Sequence, residues 1–452
     1  MKIVLPLFLL SHTLLYAEQS TTIPSISNKV NDTEKLIFSF QYRGRFDIYD
    51  GVNKLAYGDD AISSKGEVRG DSDDTIYLQQ IITGFTYKPN ANWTLKALMY
   101  DARSWGSSLD ANDFIKNPGT SDSYRMSFYD DHFELFEAYI RRNNLFYKDL
   151  TFTLGRQQVG YGDSRIFGPG KWGNTMGWLW DASHLSYKEG NNFLDVWYGQ
   201  TRTKEPNDFS IKHKHRFQGT GLYGHYELSS MKIEPFMAWR NNLYHEVKPE
   251  DDLYYTGVRL YDNTPGFIYD ATFVKEEGEA GSLDVDAYAC AVKAGYYFDT
   301  KYKMKFKVGY IYATGDEDPN DDQMQTFTAP FGANDGLHYG RMDIMFWSNM
   351  EDIQASFSFK PSKDLYIETA YHHFNLADAN DKWYFFGYKN KPGNSYTHIG
   401  DEIDLVVKYK LTDAVDLLGI YSYLNAGDFI RKNDIAQNDA SKTFLQFIYK
   451  WK

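Results

Sequence analysis

The sequence predicts an all-β fold: a transmembrane, antiparallel up-and-down β-barrel of about 18 strands, of the outer-membrane type. Three observations predict it. Segments of about ten residues with period-two alternation recur along the chain, as expected when successive side chains face opposite sides of a sheet. The connections between them alternate between long and short, a rhythm that a soluble sandwich does not require. The composition is polar on average yet aromatic: 17% Phe, Trp and Tyr, with 37 Tyr, which suits a barrel with aromatic girdles.

The 452-residue chain opens with one Lys, the apolar run "IVLPLFLL" and then "SHTLLYA". That is the layout of a secretory signal peptide over residues 1–17. Residues 18–34 read as a periplasmic N-terminal segment, and 35–452 as the barrel. No later window approaches the roughly 18 unbroken apolar residues that a membrane helix requires. Cys290 is the single cysteine, so no intramolecular disulfide holds the chain, although export would take it to an oxidising compartment.

The alternating segments fall at 35–49, 74–88, 92–105, 131–143, 149–159, 179–189, 192–203, 215–228 and 230–243. The second half continues at 252–263, 266–277, 285–299, 303–315, 350–361, 364–377, 400–411, 414–425 and 440–451. Long connections are expected at 50–73, 106–130, 160–178, 204–214, 244–251, 278–284, 316–349, 378–399 and 426–439. The short ones include "KPNA" at 88–91, "DTK" at 299–301, "PSK" at 361–363 and "TDA" at 412–414. Tight turns at one rim, long loops at the other and an even strand number place both termini on the periplasmic side. A closed barrel also pairs every backbone amide in a layer without water. In the strand 303–315, which runs into the stretch "GYIYATGDEDPNDDQMQTF" at 309–327, Met304, Phe306, Val308, Tyr310 and Tyr312 share the lipid face, and Lys305, Lys307 and Gly309 share the other. The acids from Asp316 to Asp322 then begin the longest outer loop.

"YIYATGDEDPNDDQMQTF" at 310–327 resembles the signature loop of the alginate-export porin family. "LGRQQVGYGDSRIFGPGKWGNT" at 154–175, "DLYIETAYHHFNLAD" at 364–378 and "HIGDEIDLVVKYKLTDAVDLLGIYSYLNAGDFI" at 398–430 are similar to other segments of that family. The resemblance runs from about residue 35 to the end. It implies an eighteen-stranded barrel in the outer membrane of a Gram-negative bacterium. The founding members export an anionic polysaccharide, so the resemblance also implies a uronate polymer such as alginate as cargo, with periplasmic export proteins as partners. One departure is that the inferred lumen is only partly arginine.

Parity assigns the lumen. With Leu36, Phe38, Phe40 and Tyr42 facing lipid, Arg43, Arg45 and Asp47 face inward. The same rule gives Arg141, Lys232, Arg240, Arg259, Lys293, Lys305, Lys307, Lys408, Lys410 and Lys450 as basic liners. The acidic liners are Glu137, Asp195, Glu234, Asp270, Glu368, Glu402 and Asp404. Arg156 breaks the parity of its strand, which would place it in lipid at a cost of roughly 2 to 4 kcal/mol. A bulge beside Gly155 would avoid that cost, so Arg156 is counted inward. Basic liners then outnumber acidic ones although the whole chain carries a net charge of −13. The basic bore favours anionic solutes, while the negative net charge of the whole chain argues against nucleic acid as a partner. Outer-membrane lipid and lipopolysaccharide are the expected surroundings.

Other motifs fail on inspection. A calcium loop starting at Asp316 would need Gly and Glu where Asp321 and Phe327 stand, leaving Asp316, Asp318 and Asp321 as a loose metal candidate beside plain solvation. His213 and His215, and the neighbours His372 and His373, lack zinc spacing with a third ligand. "GPG" at 168–170 has no following helix to bind phosphate and reads as a turn in the third outer loop. No Gly-x-Ser-x-Gly appears, so no enzyme and no cofactor are expected. The expected function is passive diffusion of anionic solutes, with a small-nutrient uptake porin as alternative and an adhesin or barrel enzyme further off.

Overall fold

The computed structural model describes residues 25–29, 34–116, 118, 123–202, 204, 215–243 and 251–451. The signal peptide expected at 1–17 and His213 lie outside the described residues. Eighteen long strands form one antiparallel sheet. They are β1 Lys35–Asp50, β2 Thr75–Asn90, β3 Trp93–Trp105, β4 Asp131–Arg142, β5 Leu150–Gln157, β6 Trp180–Glu189, β7 Asn192–Arg202, β8 His215–Glu227 and β9 Lys232–Asn242. Then come β10 Asp251–Asp262, β11 Gly266–Ala280, β12 Leu283–Phe298, β13 Met304–Ala313, β14 Met350–Phe359, β15 Leu365–Asn375, β16 His398–Lys410, β17 Val415–Ala426 and β18 Ala440–Lys450. Each pairs with its neighbours in sequence, and β1 also pairs with β18, from Gln41↔Lys450 to Asp50↔Ser441. The sheet is therefore a closed barrel with no free edge.

A short strand, Ser25–Lys29, pairs antiparallel with Lys35–Ser39, filling the part of β1 that β18 leaves uncovered beyond Gln41. It belongs to the stretch read as a segment outside the barrel.

The alternation that predicted the strands also sorts their side chains. On β13, Phe306, Val308 and Tyr310 are exposed on the outer face while Ile311 is buried inside. On β12, Tyr288 and Val292 face outward and Val285, Ala287, Ala289 and Ala291 are buried inward; the half-buried Cys290 shares the outward parity. On β1, Phe46 and Ile48 point out, and Arg43, Arg45 and Asp47 are buried inside. An apolar outer face with a charged inner face is the inverse of a soluble core, as lipid contact demands.

One expected loop is absent. Residues 278–284 read as a long connection, but β11 and β12 run on to Ala280 and Leu283 and turn at Gly281, whose φ is +71°. Charged residues need no lipid-free loop when the strand itself rises above the bilayer.

Buried apolar side chains lie within the bore and among the loops at its long-loop end, with Trp180, Trp197, Phe167, Tyr339 and Phe327 among the largest. Residues 158–179 and 314–349 supply much of this filling and fold into the barrel. Among the described residues no helix is long and apolar enough to cross a membrane.

If Val308 faces lipid near mid-strand, Val308→Arg should lower the folding free energy in phospholipid vesicles by roughly 2 to 4 kcal/mol. Lys307→Ala, one residue away on the inner face, should change it far less. Equal effects of the two in a denaturant titration would contradict the assigned faces.

Candidate functional site

The bore is occupied by two inserted loops, and several charges of the wall hold them. The third outer loop, 158–179, is fixed by β1. The Arg43 guanidinium donates to the Asn174 backbone oxygen at 3.0 Å and to its Oδ1 at 2.9 Å. Arg45 donates to the Gly173 oxygen at 3.0 Å and to Asp47 Oδ2 at 2.7 Å. Gln80 of β2 reaches the Asn174 oxygen at 2.7 Å, and the Asn174 amide sits among the carbonyls of Gln79, Arg103 and Tyr129. The two guanidiniums expected to meet solute are thus buried under a loop backbone.

Beside them, Arg202 pairs with Asp131 at 2.9 Å and with Glu134 at 2.5 Å, all three buried. Lys204 donates to the Ser127 oxygen at 2.5 Å and to Thr175 Oγ1 at 2.6 Å. Burial pushes its ammonium down to about 7.

The loop 314–349 descends from β13 and crosses the first one. Gly168 N–H donates to the Phe331 oxygen at 3.0 Å and Asn334 N–H to the Ser164 oxygen at 3.2 Å. Arg165 is the hub of this crossing: it donates to Tyr339 Oη at 3.0 Å and to Asp163 Oδ2 at 3.2 Å, and its guanidinium lies over the Tyr339 and Trp347 rings, 5.4 and 5.1 Å from their centroids. Such stacking suits a planar, weakly hydrated cation. A single turn, α1 Asp335–His338, follows, and His338 Nε2 lies 2.9 Å from the Asp163 oxygen.

The tip of this loop seats on the opposite wall. Met342 N–H donates to Glu402 Oε1 at 2.8 Å, Arg341 N–H to Asp404 Oδ2 at 3.0 Å, and the Arg341 guanidinium to Glu368 Oε1 at 3.3 Å. Gly340 has φ +83°, and a Cβ there would lie 2.6 Å from the Glu402 carboxylate oxygens, so only glycine lets the backbone approach so closely. Lys54, from the first outer loop, grips Asp343 at 2.7 Å. Arg240 lies 3.4 and 3.3 Å from the Ala329 and Pro330 oxygens.

The remaining expected liners divide in two. Arg259 pairs with Glu234 at 3.0 Å and with Asp270 at 2.7 Å. Lys96 pairs with Glu137 at 2.5 Å, and Asp195 with His184 at 3.0 Å. Arg156 forms a two-point contact with Asp181, 2.8 Å at each end. The register runs unbroken through Gly155, so no bulge turns Arg156 inward: it keeps the parity of exposed Leu154 and leaves the set of expected liners, its charge covered by Asp181, its cross-strand partner. Lys450 pairs with Asp416 at 3.0 Å, and Lys410 pairs with Asp413 of the adjoining turn at 2.7 Å.

In contrast, Lys293, Lys305 and Lys307 form no salt bridge among the described residues. They are half-buried neighbours on β12 and β13, where Gly295 pairs with Lys307 and Tyr297 with Lys305. Lys305 rests 4.3 Å from the Tyr297 ring centroid. Arg141, toward the short-turn end of β4, bonds Thr153 Oγ1 at 3.0 Å and makes no salt bridge among the described residues either.

The acids Asp316, Asp318 and Asp321 do not converge to a cation-binding set among the described residues. Arg165, Tyr339, Arg341 and Lys54 escaped sequence reading because the partners that define their roles lie far away in the chain, and with Arg165 its neighbour Asp163 was missed. Only "GPG" at 168–170, read as a turn, hinted that its loop was structured.

Inside the plug several groups are displaced from their ordinary titration. Burial, and then the Asp343 charge, push the Asp335 carboxyl up to about 8. Burial and Arg165 hold the His338 imidazole well below its usual range. For Asp163, burial acts upward, but Arg165, Arg259 and His338 overcome it and hold the carboxyl below the usual carboxylate range.

A family model described as alginate export matches residues 61–444. Among solved structures, OccD3 (OpdP) of Pseudomonas aeruginosa is similar at 11% identity, with a TM-score of 0.57 and 94% of each chain covered. OccAB3 of Acinetobacter baumannii, also at 11% identity, has a TM-score of 0.58 over 91% of this chain and 98% of that one. OpdK of P. aeruginosa, solved with vanillate, has a TM-score of 0.56 at 10% identity over 92% and 98%. At such identities the likeness concerns the fold. No curated protein sequence matches the chain.

Two outcomes are expected. Arg165→Ala should raise single-channel conductance in planar bilayers several-fold, because it removes the hub joining the two loops; unchanged conductance would show that the loops do not obstruct flow. Asp335 binds its proton more tightly docked, near 8, than in solvent, near 3.8. Docking therefore weakens as pH rises through that window. Asp335→Asn should abolish this dependence, so the conductance of the parent, relative to the variant, should grow from pH 4 to 8 and level off above. A constant ratio would refute it.

Proposed function

The chain belongs to the alginate-export family, and from that premise we propose that this outer-membrane channel passes anionic solutes, carboxylated sugars in particular, along a lysine-lined wall. The barrel, its porin-like neighbours and the family support an outer-membrane channel. The observation that carries the anion preference is the trio Lys293, Lys305 and Lys307, unpaired in salt bridges among the described residues while most other inner charges are matched. Positive groups in a bore with low-dielectric walls raise the local concentration of anions.

Mobile ammonium groups suit a moving cargo. A guanidinium clamp binds carboxylate at two points and holds it; a lysine offers a point charge on a flexible stem. Successive lysines on β12 and β13 therefore give a carboxylate several weak stations rather than one deep one, as conduction requires.

A second reading has its own observation. The crossing of the two loops is packed with rings: Phe331 lies 5.0 Å from Trp180 and 5.1 Å from Trp197, centroid to centroid. This dry packing favours a small carboxylate over a polymer unless the loops withdraw.

Conductance with competing uronate oligomers and small carboxylates separates the readings. Blockade by the oligomers alone supports polymer passage, whereas blockade by small carboxylates alone supports uptake of nutrients. Replacing Lys293, Lys305 and Lys307 together by Gln should move the reversal potential in a salt gradient toward cation preference. An unmoved reversal potential would remove the basis for anion selectivity.

A further inference from the structure

We propose a binding site for a divalent transition-metal ion of the zinc class on the outer face of the barrel, formed by His373, His398 and Asp401 at the long-loop rim. This goes beyond the channel reading, and uses none of its residues.

The site depends on an irregularity in the wall. β15 and β16 pair regularly from Leu365↔Tyr409 to Phe374↔Gly400, after which Asn375 pairs with His398, skipping Ile399. In an unbroken strand, residues three apart face opposite sides, so His398 would point into the bore when Asp401 points out. The bulge turns Ile399 inward, where it is fully buried, and brings His398 to the outer face. A bulge commonly re-aims one side chain; here it completes a set of three.

His373 stands directly across from Asp401, with its Nδ1 2.8 Å from Asp401 Oδ1. His398 Nε2 lies 3.4 Å from Asp401 Oδ2, is sealed from solvent, and makes no hydrogen bond. The two imidazoles are stacked, 4.6 Å between centroids at 26°. One donor atom from each residue lies within 4.8 Å of the others. Zinc bonds of 2.0–2.2 Å need donors roughly 3.3 Å apart, so small side-chain rotations close the set. Tyr371 donates to Asp401 Oδ1 at 2.6 Å, orienting the carboxylate as a partner behind a metal ligand does.

The donor chemistry selects the ion. Two imidazole nitrogens and one carboxylate suit zinc, copper, nickel or cobalt; calcium and magnesium prefer oxygen throughout. The three side chains remain 34, 33 and 27% exposed, so an ion can enter from outside and keep a coordination position for water. Bound there, it would cross-link β15 to β16 beneath the outer loop 376–397.

The test uses the detergent-folded barrel without any polyhistidine tag, titrated with zinc chloride by calorimetry and with copper(II) for electron paramagnetic resonance. One equivalent of zinc is expected to bind, undiminished by millimolar magnesium or calcium, with copper showing coupling to two imidazole nitrogens. His373→Ala and His398→Ala should each weaken binding at least tenfold and together abolish it. Tyr371→Phe should retain the site with 10- to 100-fold weaker binding. Heat-dependent gel migration verifies that each variant is folded. No stoichiometric zinc binding, equal binding by the folded double variant, or a copper signal without two nitrogens would overturn the proposal.

Discussion

The constraint on which the rest depends is that no peptide group can go unpaired in the hydrocarbon layer. It explains why β1 must meet β18, and why the short strand Ser25–Lys29 continues the edge of β1 where β18 stops. Closure in turn fixes the interior. Eighteen strands enclose more volume than inward side chains fill, and the alternation that puts Phe306 and Val308 in lipid puts Lys305 and Lys307 inside. The inner charges are therefore a by-product of spanning lipid, before any selection for solute.

That interior poses a second problem, which the inserted loops answer. A loop backbone in a bore has carbonyls and amides to satisfy, and charged walls have partners to find. At each anchor the two needs cancel: arginines of the wall donate to loop carbonyls, as Arg43 does to Asn174 and Arg240 to Ala329 and Pro330, while carboxylates of the wall accept from loop amides, as Glu402 does from Met342 and Asp404 from Arg341. The lysines of β12 and β13, by contrast, stay without salt bridges among the described residues.

The strands were legible because period-two alternation is local, and lipid makes it strong. Phe306, Val308 and Tyr310 announce a face within five residues. The site was legible only in part. Inward parity could be read for Arg43 and Arg45, but not the loop that covers them, since Asn174 is 131 residues away. The hub is hidden for the same reason: Arg165 meets Tyr339 across 174 residues. His398 was obscured differently, because the parity rule itself fails at the bulge that aims it. And residues 278–284 looked like a long loop, although the strands on either side run on to Ala280 and Leu283 and turn at Gly281.

The plug and the proposed cargo compete for one kind of interaction. Arg165 is matched by Asp163, and Arg341 by Glu368, so a carboxylated solute offers each arginine the same chemistry as its present partner. A solute can shift the loops only by the difference between its affinities for the docked and released states, and docked arginines, being buried and paired, offer it little. Released arginines would offer much, with several carboxylates on one chain binding in succession at high effective concentration. A polymer of uronates therefore biases the loops toward release more than the same number of separate sugars, which gives a physical reason why a packed crossing can be compatible with polymer passage and still exclude most of what is small.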